Sequence, residues 1–183
     1  LLAWAMVLNF DSFAMHMAAA VVLALFWQQC GWLAHDCLHH GVFENRINGR
    51  LAGLMVGNVW QGFAVSWWMN KHNQHHSIPN IYASSAEAHN ADPDIDTAPL
   101  LFWSLRIAEN FFSDSKTQVN EFFLKYQKFL YFPILGLARI AWLEGSFSFV
   151  FPNPLAWETQ NLQLAKKTAI KFAPLEQIGL LLH

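Results

Sequence analysis

From Phe13 to Ala34 the chain reads "FAMHMAAAVVLALFWQQCGWLA", without one Asp, Glu, Lys or Arg. About 20 consecutive apolar residues suffice to cross the hydrocarbon core of a bilayer, so this run predicts a transmembrane helix. Trp27 and Trp32 lie towards its C-terminal end, where interfacial aromatics collect, and Arg46 and Arg50 follow closely. The excess of basic residues in cytosolic loops therefore assigns this end of the helix to the cytosol. Residues 1–10 are also apolar and read as the end of a preceding span that turns back at "NFDS". They lack the basic start and small-residue cleavage site of a signal peptide. The chain opens without Met and ends "LLLH" inside an apolar stretch, which predicts a fragment of a longer membrane protein.

A second uncharged run, "LAGLMVGNVWQGFAVSWW" at residues 51–68, is long enough to suggest another span. Its interior Asn58, Gln61 and Ser66, with three glycines, fit a re-entrant or interfacial segment packed against protein better than a helix facing lipid. The alternative is a true span, which would put the polar sequences before and after it on opposite faces. After Asp92 the chain turns polar, and residues 122–151 are aromatic and aliphatic again, interrupted by Lys125, Lys128, Arg139 and Glu144. Charges at mid-membrane are costly, so this run predicts an amphipathic interfacial helix, ended by Pro152 and Pro154. An amphiphilic stretch, "ETQNLQLAKKTAIKFAPLEQ", leads into final apolar residues that look like the start of another span.

Composition supports lipid as the surrounding. Hydrophobic residues make up 54% and charged residues 13%, with 9 Trp and 16 Phe, and the mean hydropathy is +0.21. A soluble domain carries about a quarter charged residues. The net charge of −2 and the absence of any Lys/Arg run exclude nucleic acid as a partner. Cys30 and Cys37 match no zinc-ribbon or CxxC spacing, so a reducing, cytosol-facing setting is expected. Cys37 is read as a small buried residue, although its neighbours make it a candidate ligand.

Those neighbours are "HDCLHH", residues 35–40, at the exit of the predicted span, and a second cluster, "HNQHH", follows at residues 72–76. On a helix, residues four apart share a face with Cβ atoms about 5–6 Å apart, so two imidazoles can converge on one ion. His35 and His39 have that spacing, and His72, His75 and His76 stand at i, i+3 and i+4. His40 lies about 100° further round a helix and would join only if the helix ends there or a second metal sits beside the first. Five or six imidazoles exceed what one zinc ion takes, and the all-nitrogen set suits a pair of first-row transition metals, with iron the natural choice for oxygen chemistry. "HDCLH" has Asp where a zinc hydrolase needs Glu as base, so Asp36 is read as a partner that fixes a histidine tautomer. His16, alone in an apolar helix, is read as a satisfied core residue, and His89 as a loop histidine without metal. "DPDIDT" at 92–97 is no calcium loop, because Thr97 and Trp103 stand where an EF-hand needs Gly and Glu. Asp92, Asp94 and Asp96 are expected to cap a helix or form a surface turn.

"QQCGWLAHDCLHH", "WWMNKHNQHHSIPN" and "DPDIDTAPLLFWS" together resemble the membrane fatty acid desaturases, in particular the front-end acyl desaturases of the delta-6 type found in fungi and related eukaryotes. The resemblance runs from about Gln28 to Pro152. It implies an all-α integral membrane protein with a four-helix transmembrane stem and a cytosolic histidine-rich cap, multi-pass in the endoplasmic reticulum membrane, its histidine boxes facing the cytosol. It implies two iron ions held by His35, His39, His40, His72, His75 and His76, with His40 the least certain ligand. It further implies O₂ as co-substrate, electrons from a fused or separate cytochrome b5, and a fatty acyl substrate that gains a double bond near its carboxyl end. Trp67, Trp68 and Lys71 flank the second box as in relatives. The family's third box, QxxHH, and the cytochrome b5-like domain of front-end members are absent from residues 1–183, which form a partial desaturase domain. His183 is assigned no ligand role. A related di-iron hydroxylase and a catalytically inactive membrane fragment are the competing readings.

Overall fold

A computed structural model describes residues 1–82, 91–114, 118–151 and 172–183. Among these residues every regular element is helical, which agrees with the all-α expectation. His89, Pro152, Pro154 and most of the amphiphilic stretch before Ala173 lie outside the described residues. The chain divides into two compact units, residues 1–65 with 172–183, and residues 66–171.

The first unit is built around α2, Phe13–Leu38. Helix α1, Leu2–Asn9, reverses through residues 10–12 and packs on it as an antiparallel hairpin. The Ser12 side chain caps the start of α2 by accepting from the Met15 N–H. Helix α2 is the one helix among the described residues long and apolar enough to cross a membrane. Its burial pattern inverts that of a soluble core. The large side chains Phe13, Met17, Val21, Leu25, Phe26, Trp32 and Leu33 are exposed, whereas Ala19, Cys30, Ala34, Cys37 and Leu38 are buried. Small residues inward and bulky ones outward is the pattern of a helix solvated by lipid, where close backbone approach holds neighbours together. His16 donates from Nε2 to the Phe10 carbonyl at 2.8 Å, so its ring is satisfied locally.

The run from 51 to 68 is not one helix. Helix α3, Arg46–Gly53, is capped by Asn45, whose Oδ1 accepts from the Ile47 N–H at 2.8 Å. It continues as a π-helical segment, Leu54–Gln61, which stops at Gly62 in the left-handed conformation with φ 79°. Both pieces pack on α2. A Cβ on Gly53 would fall 2.5 Å from the Leu38 side chain, so glycine sets that approach. Asn58 is fully buried and donates to the Phe63 carbonyl at 3.0 Å across the break. Helix α8, Ala173–Leu182, closes the unit against the π-helical segment, with Gly179 tight on Asn58.

The second unit holds most of α4, Val65–Ser77, then α5, Leu105–Asp114, α6, Gln118–Gly136, and α7, Ala138–Val150. The aromatic run after residue 121 is therefore two helices, broken by a turn at Leu137. A cluster of Phe102, Ile107 and Ala108 is covered by Tyr82, Ile95, Phe111, Phe112 and Leu124. Gln127 on α6 clamps the strand of chain before α5, accepting from the Phe102 N–H at 2.7 Å and donating to its carbonyl at 2.9 Å. Helix α7 meets α4 at Gly145, where a Cβ would lie 3.0 Å from the Trp67 indole nitrogen, and Trp142 packs edge-on to the same indole.

Candidate metal centre

The first histidine cluster sits where α2 ends. His35 is in its last turn, His39 is its C-cap, and His40 follows with φ 60°. The His40 N–H donates to the Cys37 carbonyl at 3.1 Å and the Gly41 N–H to the Asp36 carbonyl at 3.0 Å. These two bonds are the Schellman pattern, and His40 fills the left-handed position that glycine normally takes. The helix thus ends at the point where His40 would otherwise rotate away from His35. The His35 and His39 rings lie 4.4 Å apart between centroids. His35 Nδ1 is 2.9 Å from Asp36 Oδ1. An ionised carboxylate can only accept, so the bond puts the His35 proton on Nδ1 and leaves the lone pair on Nε2. His40 Nδ1 is buried and has no hydrogen-bond partner among the described residues. Cys37 is buried as a free thiol.

The second cluster lies on one face of α4. His72 and His76 point Nε2 at Nε2 across 3.1 Å, with ring centroids 4.6 Å apart. His75 is beside them, its ring 5.4 Å from His76 and 5.7 Å from His72. Trp68 stacks on His72 at 4.3 Å, and Lys71 lies over the Trp67 ring at 5.4 Å.

Asp94 and Asp96 are exposed, as expected of a surface turn, but Asp92 is not. Asp92 has no exposed surface. His75 Nδ1 lies 3.0 Å from both of its oxygens, the Asn80 N–H donates to Oδ2 at 2.8 Å, and the Asp94 N–H donates to Oδ1 at 2.9 Å. Burial pushes this carboxyl up, but the hydrogen bonds from Asn80, Asp94 and His75 outweigh it and hold it below the ordinary carboxylate value. Asp94 moves the other way. Its partial burial raises it, the Asp92 charge adds to the rise, and the pull of His75 and Lys71 does not cancel them. Asp94 Oδ2 is 3.6 Å from His75 Nδ1 and 3.9 Å from His72 Nδ1. Sequence reasoning missed Asp92. The signal that pointed to it was chemical: a ligating histidine is nearly always held by a carboxylate or carbonyl on its other nitrogen, and "DPDID" follows "HNQHH" closely.

The donor set fits a first-row transition metal. In the second cluster two Nε2 atoms face each other within 3.1 Å, and the third histidine turns Nδ1 to a carboxylate, which frees its Nε2. A helical chain that carries two such histidine groups has the side chains of a metal-binding protein. The chain belongs to the fatty acid desaturase family, whose model matches residues 12–171. It is 40% identical to an acyl-lipid (9-3)-desaturase of Physcomitrium patens over 73% of this chain and 24% of the relative. It is 37% identical to a Delta(8)-fatty-acid desaturase of Euglena gracilis over 71% of this chain and 28% of that protein. A Delta(5) fatty acid desaturase of Caenorhabditis elegans is 32% identical over 92% of this chain and 34% of its own length. These relatives put the chain among front-end desaturases, and it spans about a quarter to a third of their length. No solved structure matches it.

Proposed function

We propose that this chain is part of an O₂-dependent front-end desaturase of the delta-6 type, which introduces a double bond near the carboxyl end of a fatty acyl chain. The observation that carries the reading is the facing pair of Nε2 atoms on His72 and His76, in a chain of this family. His35, His39, His72, His75 and His76 would hold two iron ions, with His40 as a further ligand at the helix end. When bound, iron and O₂ supply an oxidant for an unactivated methylene C–H bond, a task beyond any side-chain acid or base. Asp36 holds the His35 proton on Nδ1 and so presents Nε2. Trp68, stacked on His72, restricts that ring to one orientation and shields it from water. The positions in the relatives' names, 5 and 8 for two of them, count from the carboxyl end and support front-end selectivity. The setting is the endoplasmic reticulum membrane, with a four-helix stem, boxes on the cytosolic side and cytochrome b5 as electron donor.

The test is expression of the full-length protein in a host supplied with fatty acids that lack a double bond near the carboxyl end, followed by mass analysis of total acyl chains. A product two hydrogens lighter supports the proposal. A product heavier by one oxygen identifies a hydroxylase and overturns it, as does the absence of product when iron is bound and cytochrome b5 is present. Replacing His72 or His76 by Ala is expected to abolish the product and to lower bound iron.

A further inference from the structure

The hydrogen bonds of Asp92 are unusual in their concentration. It has no exposed surface, and its two oxygens take two backbone N–H groups and one imidazole. Its own N–H donates to the Ile81 carbonyl at 2.7 Å. Gln74, the neighbour of His75 on α4, donates to the Ala91 carbonyl at 2.7 Å. The carboxylate is therefore fixed from three sides before it meets His75, and it cannot follow the ring if the ring rotates. Asn80, which supplies one of the N–H groups, is held in the left-handed conformation with φ 62°. A non-glycine residue rarely adopts that conformation, and here the surrounding hydrogen bonds hold it.

We propose that Asp92 is the positioning residue of His75: it holds the proton on Nδ1 and the ring in one orientation, so that Nε2 is presented to iron. The metal part of the proposal rests on the function proposed above. The tautomer part does not. In an unconstrained histidine the Nε2–H tautomer is favoured, so Nδ1–H at His75 requires a partner such as Asp92. A purely structural Asp92, serving only the N–H groups of Asn80 and Asp94, leaves that preference unchanged. Asp94 is the internal control, because at 3.6 Å it is too far from His75 Nδ1 for a hydrogen bond.

The experiment uses the full chain in lipid nanodiscs, without metal, with ¹⁵N-labelled histidine. Long-range ¹H–¹⁵N correlation reads each tautomer, and the signal lost in His75→Gln assigns His75. The expected result is Nδ1–H at His75 in the wild type and in Asp94→Asn, and Nε2–H in Asp92→Asn, whose amide can donate to Nδ1. Titration with Fe²⁺ against a chelator is then expected to show affinity lower by about 10–100-fold in Asp92→Asn. Nε2–H at His75 in the wild type overturns the proposal. So does Nδ1–H retained in Asp92→Asn with unchanged Fe²⁺ affinity. If Asp92→Asn does not fold, the wild-type and Asp94→Asn tautomers decide. If the full-length protein takes up no Fe²⁺, the iron reading of the proposed function fails, while the tautomers still decide the role of Asp92.

Discussion

His40 shows how much one residue can carry at the end of a helix. Its φ of 60° is left-handed, a conformation that costs an L residue about 1–2 kcal/mol relative to glycine. Its Nδ1 is also buried with no hydrogen-bond partner among the described residues. Evolutionary economy would put Gly here, and the residue present is a histidine with an unsatisfied nitrogen. Replacing His40 by Gly is therefore expected to raise thermal stability by a few tenths to about 1 kcal/mol, the strain relieved less the added freedom of the unfolded chain. If His40 is a ligand, the same variant binds less iron, and the two measurements move in opposite directions. An unchanged or lower melting temperature sinks the strain argument. At this scale helical spacing was enough to put His72, His75 and His76 on one face, because ligand geometry within one helix is local. Asp92 was not legible in that way. It reaches His75 across 17 positions, and nothing in the periodicity of "DPDIDT" separates a buried carboxylate from a surface turn.

The elements around α2 depend on where side chains are missing. Gly49 on α3 is buried, and a Cβ there would fall 2.7 Å from the Cys37 carbonyl oxygen, a backbone atom at the end of α2 that cannot swing aside. The same methyl would lie 3.5 Å from His40 Nδ1. Gly49→Ala is thus expected to push α3 off the histidine-bearing end of α2 and to cost about 1–3 kcal/mol, read as a lower melting temperature in detergent. Gly136, with open space around its would-be Cβ, is the matched control, and Gly136→Ala should cost nothing. Equal losses at both sites would sink the packing argument, because Gly→Ala within a helix favours helix formation and open space surrounds only Gly136. The sequence indicated that residues 51–68 do not behave as an ordinary span, because Asn58, Gln61 and Ser66 interrupt the apolar run. It did not reveal the means. The π-helical turns and the reversal at Gly62 arise from packing against α2 and α8, which composition alone does not encode. The aromatic run after residue 121 was likewise read as one helix, although Pro133 inside α6 and Gly136 at its end announce the turn at Leu137 that divides it.

For the whole molecule the question is which side of the bilayer each histidine box faces. In the topology proposed above α2 crosses once, which would put the turn at Asp11 and the chain beyond Leu38 on opposite sides. The same proposal puts the second of these in the cytosol, on the strength of Arg46 and Arg50. Between Leu51 and Trp68 the helix breaks at Gly62, and neither piece is long enough to span about 30 Å of hydrocarbon at 1.5 Å per residue. The proposal therefore has the second box emerge on the side from which the chain entered. This is testable with single cysteines in a chain whose Cys30 and Cys37 have been changed to Ala, labelled in sealed microsomes by a membrane-impermeant maleimide. Glu44→Cys and Ser77→Cys are expected to react without permeabilisation, and Asp11→Cys only after it. Ser77→Cys reacting like Asp11→Cys would mean that residues 51–68 cross the membrane. In that case "HDCLHH" and "HNQHH" face different compartments, and no single iron centre can draw on both, whatever the ligand geometry within each box.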